Sequence, residues 1–218
     1  MMRKFIIFLL TIATFTILTV AAGCGGGTDY ASFISEKRTA VYLYEDDDIS
    51  VKLHSSVREE PYLSDGYKGE MTPLCEVFVH FSQSPDKVEV QFDDGRGGEM
   101  NYMSVTDSFY LSFSGEFSGD KISIKLVWGN SEKTVEAQNV MYDGVISCED
   151  ALESAMQYDG ETFSALTDGK NFLGEIYVRL LSDAGKCYYY VGVCDREGNI
   201  NAYLVDGENG NIIAERRT

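Results

Sequence analysis

Lys121-Ile122-Ser123-Ile124-Lys125-Leu126-Val127-Trp128 sets polar against apolar residues in strict alternation up to Leu126. A period of two turns one side of a strand toward a core and the other toward solvent. The same grammar recurs on both sides of this stretch. Upstream lie Thr39–Tyr44, Ile49–His54, Glu76–Phe81, Lys87–Phe92, Met100–Met103 and Phe109–Phe113; downstream lies Lys133–Asn139. Turn clusters separate them, among them Glu45-Asp46-Asp47-Asp48 and Asp93-Asp94-Gly95-Arg96-Gly97-Gly98. Short strands at this spacing, with no helical periodicity between them, predict an all-β sandwich over residues 38–142. An immunoglobulin-like topology is the expectation, although the Cys…Trp…Cys spacing of true immunoglobulin domains is absent. Trp128, at a strand end, reads as a packing or edge residue.

Within this region Ser55–Pro73 breaks the pattern. It mixes charged and aromatic residues, including Arg58, Tyr62 and Tyr67, and reads as a long loop. Long loops in compact domains are often functional, so Arg58, Tyr62 and Tyr67 are candidate partner-binding residues. The competing expectation is a lid packed over one end of the sandwich by Tyr62, Leu63 and Tyr67.

The pattern changes after residue 142. Ser147-Cys148-Glu149-Asp150 opens a helix in which Ser147 caps and Asp150 occupies the third position, as in a capping box. Ala151, Leu152, Ala155 and Met156 form one apolar stripe, and Asp159-Gly160 can end the helix. Three strands joined by tight turns follow: Glu175–Leu181, Lys186–Cys194 and Ile200–Val205. A fourth, Ile212–Ala214, comes after the turn Asp206-Gly207-Glu208-Asn209-Gly210-Asn211. A helix before an antiparallel meander predicts an α+β unit over residues 143–218.

This unit resembles a PepSY domain. The carriers are the helix Ile146–Met156, the strand Tyr188–Val193, and Tyr203-Leu204-Val205-Asp206-Gly207-Glu208-Asn209-Gly210-Asn211-Ile212-Ile213. Gly207 replaces the usual Ala of that motif and Asn209 the usual Thr. The resemblance covers about residues 144–217 and implies a non-catalytic role in restraining or tuning peptidases. With no peptidase domain in the chain, the partner would be a separate exported peptidase or another cell-envelope protein.

The N-terminus carries an address. Arg3 and Lys4 precede the apolar run Phe5–Ala22, and Ala22-Gly23 precede Cys24. The layout resembles a bacterial lipoprotein signal, with residues 1–23 removed and Cys24 lipidated. Residues 24–37, opening with three glycines, would then form a tether at the outer face of the cell membrane. Ala21 stands where such signals usually have Leu. An uncleaved membrane anchor and ordinary cleavage remain open alternatives.

Composition narrows the partners. The net charge of −17 opposes nucleic-acid phosphate and anionic lipid, so attachment would rest on the Cys24 lipid rather than on a basic surface. Acidity of this kind favours basic peptides or divalent cations, or simply keeps a tethered domain soluble. Beyond Cys24 the cysteines are Cys75, Cys148, Cys187 and Cys194. Cys187 and Cys194 lie on one predicted strand, roughly 23 Å apart and on opposite faces, so they cannot pair. Buried free thiols are the expectation, with a bridge from Cys148 to Cys187 or Cys194 geometrically possible. No spacing matches a zinc site.

Only His54 and His80 are available as bases, and no nucleophile elbow, zinc helix or phosphate loop accompanies them. The acidic turns Glu45–Asp48 and Asp195–Asn199 lack the spacing of an EF-hand loop. The expectation is therefore no cofactor, no metal and no catalysis. The chain reads as a membrane-anchored interaction module; the alternative is a lipoprotein that recognises peptide or glycan through residues 55–73.

Overall fold

The computed structural model describes residues 28–217; Cys24 and the signal lie outside the described residues. The described chain is a β-rich fold built mostly on one antiparallel sheet.

A 3-10 turn, Tyr30–Phe33, leads into β1 (Ile34–Glu45). Folded structure therefore begins well before residue 38, which shortens the expected tether. The cause is burial: Tyr30 and Phe33 pack edge-on against Phe172, and Ile34 enters a core. β2 (Ile49–Glu60) and β3 (Glu70–Phe81) pair over their full lengths, from Ile49 opposite Phe81 to Glu60 opposite Glu70. The loop expected at 55–73 thus shrinks to residues 61–69. Ser55, Ser56 and Glu59 broke the apolar alternation, yet all three are buried strand residues. Ser55 Oγ accepts the Phe117 N–H at 3.1 Å and Glu59 Oε2 the Gly69 N–H at 2.6 Å, which offsets part of the desolvation that buried polar groups suffer.

Next come β4 (Glu89–Phe92), β5 (Gly97–Glu99), β6 (Asn101–Met103), β7 (Ser108–Ser114), β8 (Lys121–Trp128) and β9 (Ser131–Asn139). In space they run β5-β4-β8-β9-β1-β2-β3-β7-β6. β5 and β6 are consecutive in the chain, split only at Met100, and they pair with opposite ends of this sheet. The sheet therefore curls until it nearly closes around a core of Leu53, Val77, Val90, Ile124, Leu126 and Ala137. Trp128 packs at its edge, 5.2 Å from the Phe81 ring.

The C-terminal region begins with α1 (Cys148–Tyr158), capped by Ser147 and Asp150 in a reciprocal capping box. Asp159 ends α1 and caps α2 (Gly160–Ala165), accepting the Thr162 N–H. A small hairpin, β10 (Thr167–Asp168) and β11 (Asn171–Phe172), precedes the meander β12 (Glu175–Asp183), β13 (Lys186–Cys194), β14 (Ile200–Asp206) and β15 (Ile212–Arg216). Ala151, Leu152 and Ala155 of α1 cover Ile176, Val178, Leu180, Tyr189, Val191 and Val205 in a second core.

The boundary expected between residues 142 and 143 separates two cores but not two sheets. β1 pairs in parallel with β12 through Ile34–Arg38 and Ile176–Arg179. After an irregularity between Arg38 and Ala40, the same edge of β1 turns to β9 at Tyr42 and Leu43. One edge of one strand thus serves both halves, and the sheet forks at Arg38.

Candidate functional site: an open sheet face with a cleft at the fork

Alternate residues along β12 and β13 face away from α1. Tyr177, Arg179, Leu181, Tyr188 and Tyr190 lie on this second face, and the register continues it across Arg38 of β1, His54 and Arg58 of β2, and Glu76 and Phe78 of β3. A seam of charge crosses its centre. Arg179 Nη2 lies 2.8 Å from Glu36 Oε2, Arg38 Nη2 3.5 Å from Glu36 Oε1, and Arg58 Nη1 3.5 Å from Glu76 Oε1. Three guanidinium groups face two carboxylates, leaving the seam one positive charge in excess. Aromatic rings flank it: Arg179 stacks over Tyr177 and Tyr190, while Phe78 packs against His54 and Tyr110.

The electrostatics follow from crowding. Burial pushes the Glu76 carboxyl up, but His54, Arg58 and Arg38 outweigh it and hold it below the usual carboxylate range. Burial, with Arg38 and Lys52 nearby, holds His54 below its ordinary value despite Glu76 at 3.6 Å from its Nδ1. Burial likewise lowers Arg38. The lowered pKa favours the neutral imidazole of His54 beside the arginines of the seam.

At the fork the face opens into a cleft of about 690 Å³. One wall carries Arg38 and Val41 of β1 with Lys52 and His54 of β2; the other carries Leu180–Asp183, Lys186, Tyr188, Leu204, Asp206 and Ile213. Its volume falls within the ~300–1,000 Å³ common for ligand sites, and mixed apolar and polar lining is what such sites use. A second cleft of about 330 Å³ shares Lys52 and His54 and adds Phe78, His80 and Ser108. Lys37, Lys87, Lys121, Lys125 and Lys133 each hold a carboxylate. Among the described residues neither Lys52 nor Lys186 has such an ion pair.

The residues singled out in the sequence lie beside this cleft rather than in it. Arg58 sits in the seam with its guanidinium 4.7 Å from the Tyr62 ring centre. Tyr62 packs on Tyr177 and its hydroxyl accepts from Arg179. Tyr67, more than half exposed, lies under Arg196 at 4.6 Å. Residues 61–69 form a pinned cover, not an aromatic-lined groove. Beneath them Glu59 and Glu175 are fully buried together. Gly69 donates to Glu59, while Gly66 and the Tyr177 hydroxyl donate to Glu175. Glu59 Oε1 and Glu175 Oε2 have no other donor among the described residues. Burial above all, with the neighbouring Glu175 charge, pushes the Glu59 carboxyl up to about 7.

The other candidates resolve simply. Cys75, Cys148, Cys187 and Cys194 are free and buried, and burial pushes the thiols of Cys75 and Cys194 up to about 11 and of Cys148 to about 12. Asp46 accepts the N–H groups of Asp48 and Ile49 and binds Lys133; Asp195 accepts those of Glu197 and Asn199. Both acidic turns use these carboxylates to hold their own backbones. His80 is exposed, with Nδ1 2.6 Å from the Asp107 carbonyl oxygen.

No family model, curated protein or solved structure matches this chain. Sequence reasoning missed Arg38, Lys52, Lys186 and the Glu59–Glu175 pair. The signal present was the Lys52-x-His54 spacing, set in alternation with Ile49, Val51 and Leu53, which places a base and a cation side by side on the outward face.

Proposed function

We propose that this chain is a lipid-anchored, non-catalytic protein of the bacterial cell envelope that binds a protein partner through the open face of its sheet. The partner is an exported peptidase or another envelope protein whose action the chain modulates. The observation that carries this reading is the cleft at the fork, where, among the described residues, Lys52 and Lys186 stand without ion partners. Buried thiols with raised pKa values make poor nucleophiles, which supports a binding rather than a catalytic role. Arg3-Lys4, the apolar run to Ala22 and Cys24 support the anchor. In this reading the curled sheet is an immunoglobulin-like arrangement and α1 over β12–β15 a PepSY-like one. The capped helix and the turn at Asp206 support the latter.

The test is photo-crosslinking of the intact protein in its native envelope, with the reactive group at Leu204 on the open face and, as control, at Glu153 on the exposed side of α1. Recovery of one defined envelope protein from Leu204 alone supports the reading. Equal capture from both positions sinks it. Cys24→Ala should release the protein from the membrane fraction; unchanged retention would point to an uncleaved helix.

A further inference from the structure

The cleft has a direction. β12 leaves β1 after Arg179, so the edge of β12 from Leu180 to Asp183 carries no ladder partner among the described residues. A free strand edge beside an open cleft is the arrangement that captures an extended peptide through its backbone. A peptide laid along this edge toward the fork cannot continue, because β1 already occupies the edge from Arg179 downward. A strand bound there must end or turn away at the fork.

The charge at the dead end selects which end. Arg38 stands at the fork, with His54 and Lys52 following along the same wall. On the opposite wall, toward the hairpin between β12 and β13, Asp183 and Asp206 outnumber Lys186. Leu181, Tyr188 and Leu204 lie between the two ends. Arg38 at the closed end favours a carboxylate over an ammonium, with Lys52, opposite Leu43 further along the wall, adding to the same field. Glu36 and Glu76 offset two of the seam's three guanidinium charges and leave one for a ligand. The chain's overall acidity argues against a polyanion, whereas a single carboxylate at short range escapes most of that screened repulsion.

We infer that the cleft between β1 and β12 binds the carboxyl-terminal end of an extended, largely apolar peptide. Its carboxylate meets Arg38, Lys52 and His54, its backbone pairs with the free edge of β12, and its side chains pack over Leu181, Tyr188 and Leu204. A basic residue further back would face Asp183 and Asp206. The inference rests on the open-face reading above and names what that face holds. It also reverses the expectation from net charge, which pointed to basic partners.

The experiment passes a pool of random apolar hexapeptides, half with free carboxyl termini and half amidated, over the immobilised full-length protein in detergent. Retained peptides are read by mass spectrometry. Free acids should be enriched about tenfold over amides, as expected for loss of one charge-assisted contact. Lys52→Gln, at an exposed position, should cut the enrichment several-fold without altering circular dichroism. Arg38→Gln should abolish it, its fold being checked the same way because Glu36 and Glu76 lose a counter-charge. Equal retention of acids and amides, or retention of neither, overturns the inference. Retention of dodecanoate with no peptide retained would give the cleft to a hydrocarbon acid and overturn it too. If Leu204 still crosslinks a single envelope protein while the peptides fail, this inference falls and the wider binding role stands.

Discussion

Glu59, buried beside Glu175, makes stability fall as pH rises, the opposite of a carboxylate whose folded-state pKa is depressed. Glu59 is held protonated up to about pH 7, against an ordinary value of 4.5. Below pH 4.5 the folded and unfolded chains both carry the proton. Between 4.5 and 7 the unfolded chain releases it and the folded chain keeps it, so stability falls as pH rises. Above 7 both are ionised and the whole cost is present. At ~1.4 kcal/mol per pH unit, the displacement corresponds to about 3 kcal/mol. From pH 5 to pH 8 the protein should lose about 2–3 kcal/mol from this source alone. Urea unfolding followed by the fluorescence of Trp128, the single tryptophan, measures it. Glu59→Gln supplies the comparison: it cannot ionise, so it should lack this decline, and the difference between the two proteins isolates the Glu59 contribution. His54, held below its usual value, loses stability as pH falls below about 6.5 and so acts in the opposite sense. It is common to both proteins and cancels. Parallel decline of wild type and Glu59→Gln from pH 5 to pH 8 would refute the reasoning.

Gly66 has φ +75°, and a Cβ there would lie 2.6 Å from the backbone of Asp195 and Arg196. Gly66→Ala should cost about 2 kcal/mol or more and open residues 61–69 to protease, whereas Gly95→Ala, with φ +84° and nothing within 4 Å, should cost only about 1 kcal/mol. Equal losses would contradict the pinned cover. Cys75, Cys148, Cys187 and Cys194 should resist alkylation at pH 8 in the native protein and all react in guanidinium, mapped by mass spectrometry; rapid native labelling of Cys148 would contradict its burial.

What the sequence discloses is local. The alternation of Lys121–Leu126, the Ser147–Asp150 cap and the Asp206 turn depend on neighbours a few residues apart, and each forms as expected. What it conceals depends on partners far away. Ser55, Ser56 and Glu59 look like loop residues until Phe117 and Gly69 arrive to bond two of them. Ile34 looks like tether until Ile176 lies beside it. The cleft is a further step removed, for it exists only where β1 parts from β12, and no run of residues encodes a separation between strands. Gly160 was expected only to stop a helix; with Asp159 capping on both sides, it starts another.

The shared strand β1 also governs the order in which the molecule can be made. Ser35 meets Ile176 across 141 positions of chain, so the first strand to emerge is among the last to be completed. Folding rates fall as contacts grow more distant in sequence, and the fork cannot take shape until the final meander has arrived. A chain released before residue 175 would hold β1 with one edge bare. The lesson for anyone dividing this protein into pieces is practical: a cut at residue 142 removes the neighbour on which the first strand depends.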